Sequence, residues 1–312
     1  MKEIVTAFGY PFFVRAALPG IVLLTVLWPI LGPVLFPILA GQGTTPIEFG
    51  AAFLLVSIFF GWLMSLLDYP IYMVFEGRLL WPRWLSRRLE SRFQPRIDAL
   101  LGEAEKSRKT NSRITGENYW RLRGFPLVER GRFEARAPTR LGNLLQSFEL
   151  YPLSRYGMDS VFYWPRLKSV LKPEVREDLN TSAAEASALV YLAFSLVISA
   201  AIYDSVALLQ LVASLLALPA VLPGIEINPG KWALAGILLL FASYGSYLAS
   251  LHLHRTYGEL FKSAFDVSRS ELKEKIGLDS TSGLEPEIWK QAFYRLQYLQ
   301  KYAPKPPPPT RP

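Results

Sequence analysis

The residues best suited to binding a ligand lie between positions 140 and 166. Arg140, Arg155 and Arg166 are interspersed there with Asp159 and with several aromatic residues. Paired guanidinium donors beside aromatic rings can bind a phosphate or a carboxylate. The same side chains can instead stack and pair with acidic neighbours, and this structural role is favoured because buried polar groups normally have partners. The candidate contacts for an anion or a protein partner are Arg140, Asn143, Arg155, Asp159 and Arg166.

This segment also carries a recognisable sequence pattern. It reads Pro138-Thr139-Arg140-Leu141-Gly142-Asn143, then Arg155-Tyr156-Gly157-Met158-Asp159 and Trp164-Pro165-Arg166-Leu167. The pattern resembles a signature of an uncharacterised group of bacterial polytopic membrane proteins with four spans. The resemblance implies a membrane location and a cytoplasmic motif, and it brings no assigned activity.

Two acidic residues inside apolar stretches are further candidates. Ionisable groups in a bilayer are costly, which makes them functional candidates by default. Asp68 lies near the inner end of the second stretch, where Arg15 or His252 could pair with it, and a structural or interfacial role is favoured. Asp204 is the only charge in the third stretch, and its depth leaves a structural and a functional role both open.

Several kinds of catalytic site are excluded by composition. The chain has no cysteine, which excludes thiolate catalysis and cysteine-based zinc or iron–sulfur sites. His252 and His254 point about 200° apart on a helix, so they are interpreted as interfacial anchors rather than as one metal site. Sequence motifs of serine hydrolases, zinc hydrolases and phosphate-binding loops do not occur. We therefore predict no catalytic residue, no metal and no cofactor, and we favour a non-enzymatic protein.

The helices that position these residues are predicted from the long stretches of sequence without charged residues. Hydrophobic residues make up 51% of the chain and charged residues 19%, whereas soluble proteins have about 25% charged residues. Uncharged stretches of 32, 19 and 23 residues occur, and a spanning helix needs about 20 apolar residues. The sequence therefore predicts four transmembrane helices, near Ala16–Ile38, Ile47–Tyr72, Ala188–Leu211 and Trp232–His252.

Two of these helices are expected to be irregular. The apolar run Ala188–Pro223 would form about 54 Å of helix, whereas the hydrocarbon core is about 30 Å thick. We expect a break at Tyr203–Ser205, with Asp204 near the outer interface and an interfacial or re-entrant stretch beyond it. In the first span, prolines recur at every fourth residue, as in the broken helices that line sites in channels and transporters: Pro29, Pro33 and Pro37.

Membrane orientation follows from the connecting segments. Arg78–Ser187 contains 21 Lys and Arg against 13 Asp and Glu, a net charge of +8. The outer connectors contain a single lysine, Lys231. Because positive charge marks the cytoplasmic side, we predict a multi-pass protein of the plasma (inner) membrane with both termini cytoplasmic.

A basic helix is predicted directly after the second span. Its apolar residues recur every fourth position, and Pro95 is expected to break or restart it. Such a helix is attracted to anionic headgroups at about 1 kcal/mol per basic side chain, although an ordinary cytoplasmic helix fits equally well. Nucleic-acid binding is less favoured. The expected membrane-surface contacts are Arg83, Arg87, Arg88 and Arg92.

The predicted fold is an all-α membrane protein with an α-rich cytoplasmic cap, formed by the connector between spans two and three and the C-terminal helices. Within the cap, Gly102–Asn118 reads as a loop, strand-like pieces lie near Trp120–Val128, and a C-terminal helix begins near Glu285. The predicted segments are an interfacial N-terminal segment (1–15), spans one and two (16–76), a basic cytoplasmic segment (77–187), spans three and four (188–254), C-terminal helices (255–303) and a Pro-rich tail (304–312).

Three functions are consistent with this organisation. In the first, a non-enzymatic membrane protein binds partners or anionic lipid headgroups through its basic cap. In the second, the chain is one subunit of an oligomeric channel, pore or transporter, with the Pro-rich first helix and Asp204 near the path. In the third, it is a membrane-interface enzyme acting on phospholipid-like substrates. The expected partners are the bilayer and a second copy or another membrane protein.

Overall fold

The computed structural model describes residues 9–39, 45–109, 121–128, 132–219, 221, 227–278 and 283–298, and the predicted Pro-rich tail lies outside them. The described residues are almost entirely helical. The helices are α1 (Tyr10–Leu39), α2 (Pro46–Leu66), α3 (Asp68–Glu76), α4 (Arg83–Lys109), α5 (Arg140–Glu149), α6 (Tyr151–Tyr156), α7 (Ser160–Lys168), α8 (Pro173–Leu215), α9 (Pro229–Lys275) and α10 (Glu285–Tyr298). Helices α1, α2, α8 and α9 are long and apolar enough to cross a membrane, which confirms the predicted all-α fold with four spans.

Helix α1 is irregular at a different place from the one predicted. The helix stays α-helical through Pro29, Pro33 and Pro37, all of which lie on its exposed side. A π-helical stretch occupies Phe13–Ala17 instead, where the Leu18 N–H donates to the Phe13 carbonyl. Pro19 follows directly and has no N–H to continue the regular ladder, which favours the wider turn before it.

The predicted second span divides into two helices. Helix α2 ends at Leu66, and α3 begins at Asp68 after a turn at Leu67, so the span does not continue as one helix to Tyr72. Pro70 has no N–H with which to bond the Leu66 carbonyl, which accounts for the interruption. The division places Asp68 at the first position of α3.

The expected break in the third span is wrong. Helix α8 runs without interruption through Tyr203–Ser205 and ends at Leu215, about three turns beyond Asp204. The Tyr203 hydroxyl donates to the Val26 carbonyl of α1 at 2.9 Å, so this polar group has a partner without any unwinding of the helix.

The chain forms two compact units. The spanning unit comprises residues 1–75 and 180–254, and the second unit comprises residues 76–179 and 255–312. This division assigns residues 180–187 to the spanning unit, whereas the sequence pattern groups them with the basic segment.

In the spanning unit, glycines bring α1 and α2 together. A Cβ at Gly61 would collide with the Ala16 carbonyl, and one at Gly20 would collide with the Ser57 carbonyl. Gly245 on α9, by contrast, has no such atom within 4 Å. The close approach of α1 and α2 therefore depends on Gly20 and Gly61.

In the second unit, α4 continues through Pro95, so the expected break there is wrong. The residues after the proline pack inward, since Ile97 and Leu100 form a core with Leu122. The helix extends to Lys109, so the first part of the predicted loop Gly102–Asn118 is helical and the rest lies outside the described residues. A two-stranded antiparallel pair follows, β1 (Leu127–Val128) with β2 (Arg132–Phe133).

Helix α10 begins at Glu285, as predicted, and packs on the connector between spans two and three. Its Trp289 is fully buried and lies 5.3 Å from the ring of Tyr163 on α7. The Tyr163 hydroxyl donates to the Trp289 carbonyl at 2.6 Å. The C-terminal helix and the connector therefore share one core.

Candidate functional site

The exposed side of α4 carries the predicted membrane-surface arginines. Trp84 projects among them with 66% of its surface exposed, three and four residues from Arg87 and Arg88. The opposite side of the helix contributes Ile97 and Leu100 to the core. The exposed arginines of α4 are Arg83, Arg87, Arg88, Arg92 and Arg96.

The Asn143 side chain binds the backbone of the loop before α5. Its Oδ1 accepts from the N–H groups of Arg136 and Ala137 at 2.8 and 3.1 Å, and its Nδ2 donates to the carbonyls of Ala137 and Thr139 at 2.7 and 2.8 Å. The side chain is fully buried. An amide has two donors and two acceptor positions, so all of its hydrogen-bonding capacity stabilises the loop before α5.

Asp159 and Arg166 have local structural contacts. Asp159 caps α7 by accepting from the Phe162 N–H at 3.0 Å. The Arg166 guanidinium donates to the Phe162 carbonyl at 2.6 Å and stacks 3.7 Å from the Phe162 ring centre. Arg155 is exposed on α6. Among the described residues, no hydrogen bond or ion pair joins any two of the five predicted ligand contacts.

Arg140 lies beside a basic cleft that the sequence does not predict. Its guanidinium is close enough to that of Arg255 on α9 for the two charges to interact. Arg255 lines a cleft together with Arg123, Glu259 and Lys262, over a floor formed by Leu144, Phe148 and Gly258. We refer to this as the cationic cleft. Arg123 lies 132 positions before Arg255 in the chain, so spacing could not reveal the cleft.

A second polar cluster joins α6, α9 and α10. The hydroxyls of Tyr151 and Tyr156 donate to Asp266 Oδ1 at 2.9 and 2.6 Å. Arg269 stacks on the Tyr156 ring and pairs with Glu285 at 2.8 Å. Burial and the Asp266 carboxylate raise the pKa of Tyr156. These groups provide one another with hydrogen-bond and ion-pair partners, which indicates a structural role for the cluster.

In the spanning unit, Asp68 pairs with Arg15, one of the two partners considered from the sequence. Arg15 Nη2 lies 3.0 Å from Asp68 Oδ2. The Tyr191 hydroxyl donates to Asp68 Oδ1 at 2.5 Å and accepts from Arg15 Nη2 at 2.9 Å. The ion pair therefore links α1, α3 and α8, with the π-helical stretch holding Arg15.

His254 is a buried part of this bundle rather than an interfacial anchor. Its Nδ1 lies 2.8 Å from the Ser250 carbonyl, and its Nε2 lies 3.0 Å from the Tyr72 hydroxyl. A carbonyl only accepts, so Nδ1 donates to Ser250, and in the neutral ring the unprotonated Nε2 accepts from Tyr72. Tyr72 then accepts from Ser187 at 3.0 Å, which completes a directed chain of hydrogen bonds. His252 is exposed on the neighbouring turn.

Asp204 is half-buried and faces Gly236 on α9. Its carboxylate occupies the space that a Cβ at Gly236 would fill. It forms no hydrogen bond or ion pair with any residue that the structure describes. The small residue opposite it explains how a carboxylate fits between α8 and α9.

Within the described ranges, no group of three or more His, Asp or Glu residues has the geometry to hold a metal ion. No protein-family model, curated protein or solved structure matches the chain. The features that bear on function are the α4 surface, the cationic cleft and the buried polar networks.

Proposed function

We propose that this is a non-enzymatic, multi-pass protein of the plasma (inner) membrane whose basic cytoplasmic segment binds anionic lipid headgroups through α4. The observation that carries this proposal is the exposed arginine surface around Trp84. Only residues 77–82 separate α4 from α3, which follows the spanning helix α2 directly, so the surface is close in sequence to the spanning unit. Basic side chains near a bilayer with anionic lipid each contribute about 1 kcal/mol, and a tryptophan suits the headgroup region.

A spin label on α4 tests the contact with lipid. The chain has no cysteine, so Ser91→Cys on the exposed side of α4 gives a single attachment point. The full-length protein is reconstituted in phosphatidylcholine bilayers with or without phosphatidylglycerol. We expect phosphatidylglycerol to protect the label from a water-soluble nickel complex, and high salt to reverse the protection.

The matched variants remove two charges each. Arg87→Gln with Arg88→Gln should abolish the protection, whereas Lys172→Gln with Arg176→Gln, two exposed positions outside α4, should leave it intact. Equal protection in both bilayers, or equal loss in both variants, would refute the proposed contact.

The proposed orientation has its own test. Ser270→Cys lies near the C-terminus of α9, and Lys231→Cys lies near its N-terminus. Both positions are exposed. A membrane-impermeant maleimide applied to intact cells should label only Lys231→Cys. Labelling of Ser270→Cys alone would reverse the orientation and remove the cytoplasmic assignment.

An oligomeric channel, pore or transporter subunit is the second candidate. The observation that favours it is the row of exposed prolines on α1, which leaves that side of the helix open to a second copy: Pro29, Pro33 and Pro37. Crosslinking through Pro33→Cys in bilayers distinguishes the two functions, because only an oligomer packed through α1 gives a disulfide-linked dimer. We also propose that the chain belongs to the four-span bacterial group, and the central motif supports this proposal.

A further inference from the structure

We propose that the cationic cleft is a binding site for a phosphate group. None of its residues belongs to α4, so this inference does not rest on the surface contact proposed above. The cleft lies in the second unit, between α5, α9 and the turn at 121–124, and it is shallow and open to solvent.

The charges in the cleft are unbalanced. Arg123, Arg255 and Lys262 face a single carboxylate, that of Glu259. Glu259 divides its oxygens, one at 3.3 Å from Arg123 Nη1 and the other at 3.1 Å from Lys262 Nζ. An ammonium has three N–H donors, so the bond to Glu259 orients Lys262 and leaves it with donors that a ligand can use.

Arg255 is the side chain that points to a ligand. It is half-buried and forms no hydrogen bond or ion pair with any described residue, and the like-charged Arg140 acts on it. A charge withdrawn from water without a partner is unfavourable, and a second cation nearby adds to the cost. An anion bound between the two guanidinium groups would relieve both effects.

Two glycines line the cleft. The Arg255 Nη2 atom lies 3.5 Å from where a Cβ of Gly124 would stand, an ordinary contact distance, so the guanidinium lies directly against the turn at 121–124. A Cβ at Gly258 would collide with the ring of Phe148, which forms the apolar floor. Apolar walls reduce the local dielectric constant and strengthen the attraction between an anion and the surrounding cations.

The surplus of charge favours a phosphate over a single carboxylate. The cleft residues have a net charge of +2, and Arg140 adds a further positive charge at the edge. Guanidinium groups bind phosphate oxygens through paired donors. Arg255 is also the first charged residue after the uncharged stretch 232–254 of α9, so a bilayer crossed by that stretch brings its phosphate layer to the level of Arg255. A phospholipid headgroup is therefore the expected source of the phosphate, and a soluble phosphate is the other.

Native mass spectrometry of the full-length protein in a non-ionic detergent tests the site. The probes are phosphatidic acid, phosphatidylcholine as the zwitterionic control, and inorganic phosphate as competitor. We expect a one-to-one adduct with phosphatidic acid. Arg255→Gln should weaken it about tenfold or more, the effect of losing a hydrogen bond between charged groups. Arg140→Gln, at an exposed position, should weaken it by a smaller factor without affecting folding.

The matched control is Arg176→Gln, which removes one exposed charge of the same unit and should leave the adduct unchanged. Competition by inorganic phosphate at concentrations similar to those of the lipid would assign the site to a soluble phosphate; failure to compete would assign it to the lipid headgroup. Absence of any adduct, or adducts that Arg255→Gln and Arg140→Gln leave unchanged, would overturn the site. Because the measurement uses detergent and involves no bilayer, its result is independent of the spin-label result on α4.

Discussion

The Tyr72 hydroxyl on α3 hydrogen-bonds to the Nε2 atom of His254 on α9 at 3.0 Å, although the two residues are 182 positions apart in the chain. His254 has 2% of its surface exposed, and Ser187, the other partner of Tyr72, has 8%. The Ser250 carbonyl sets the direction of these hydrogen bonds, because it requires a proton on Nδ1 of His254. One tyrosine hydroxyl thus satisfies two buried polar groups from two spanning helices.

Replacing Tyr72 with phenylalanine should therefore destabilise the spanning unit. The change keeps the ring but leaves the Nε2 atom and the Ser187 hydroxyl without their partner, at a cost of about 1–3 kcal/mol. Tyr69→Phe is the matched control, because Tyr69 lies on the same helix with 74% of its surface exposed. Thermal unfolding in detergent measures both variants. Similar unfolding temperatures for the two would show that the hydrogen-bond chain contributes nothing to stability.

The ion pair between Arg15 and Asp68 should behave as a coupled unit. Arg15→Gln or Asp68→Asn alone leaves one charge in the bundle without its partner, and Tyr191 cannot replace it because its hydroxyl is neutral. The double variant removes both charges. We expect each single variant to lower the unfolding temperature more than the double variant does, and strictly additive effects would argue against coupling.

Glycine substitutions test the close packing of α1 and α2. Gly61→Ala places a methyl group against the Ala16 carbonyl, and overpacking of this kind costs about 1–3 kcal/mol. Gly245→Ala has no such obstacle within 4 Å and gains helix propensity, so it should be neutral or slightly stabilising. Comparing the two unfolding temperatures in detergent separates packing from propensity. A neutral Gly61→Ala would mean that the two helices can separate at no cost.

The four spans could be predicted because charge is excluded from them over lengths that match a bilayer, and composition alone records that exclusion. The local irregularities of the helices could not be predicted. Pro29, Pro33 and Pro37 suggested a broken helix, yet they lie on the exposed side of α1, whereas Pro19 comes just after the π-helical stretch that holds Arg15. Whether a proline interrupts a helix depends on what its neighbours contact, and a single sequence does not contain that information.

Some residues of the candidate sites could likewise be predicted from the sequence, and others could not. The exposed arginines of α4 follow from helical periodicity. The roles of Tyr72, Tyr191 and His254 could not be derived, because tyrosine and histidine at the ends of spans equally suit a membrane interface. The motif residues Asn143 and Asp159 are polar groups that suggest binding, but both bond to nearby backbone groups. Arg255 gave one signal in the sequence, its position as the first charge after the fourth span.

The stability of the second unit should depend on pH through Glu76. Burial raises the pKa of Glu76 above its ordinary value of 4.5, although Arg78 acts in the opposite direction. The neighbouring Glu149 carboxylate is coupled to it by repulsion. The folded state therefore binds the proton more tightly than the unfolded state does. The resulting stabilisation is present below the ordinary pKa and is lost as pH rises through the raised pKa of the folded protein.

Glu76→Gln should flatten this part of the pH profile, measured as unfolding temperature in detergent from mildly acidic to neutral pH. Glu174→Gln, at an exposed position, should leave the wild-type slope unchanged. A slope that persists in Glu76→Gln would assign the pH dependence to other carboxylates.

Asn143 gives the clearest separation of a structural role from a ligand-binding role. Asn143→Ala leaves two N–H groups and two carbonyl positions of the loop before α5 without partners, and we expect a loss of about 3 kcal/mol in the free energy of unfolding. Asn143→Asp should also destabilise the loop, because a carboxylate oxygen would then face the carbonyls of Ala137 and Thr139. Gln146→Ala, on the same helix, is the control. If Asn143→Ala instead kept the wild-type stability and lost phosphatidic acid binding, Asn143 would be a ligand contact and the loop would be held by other interactions.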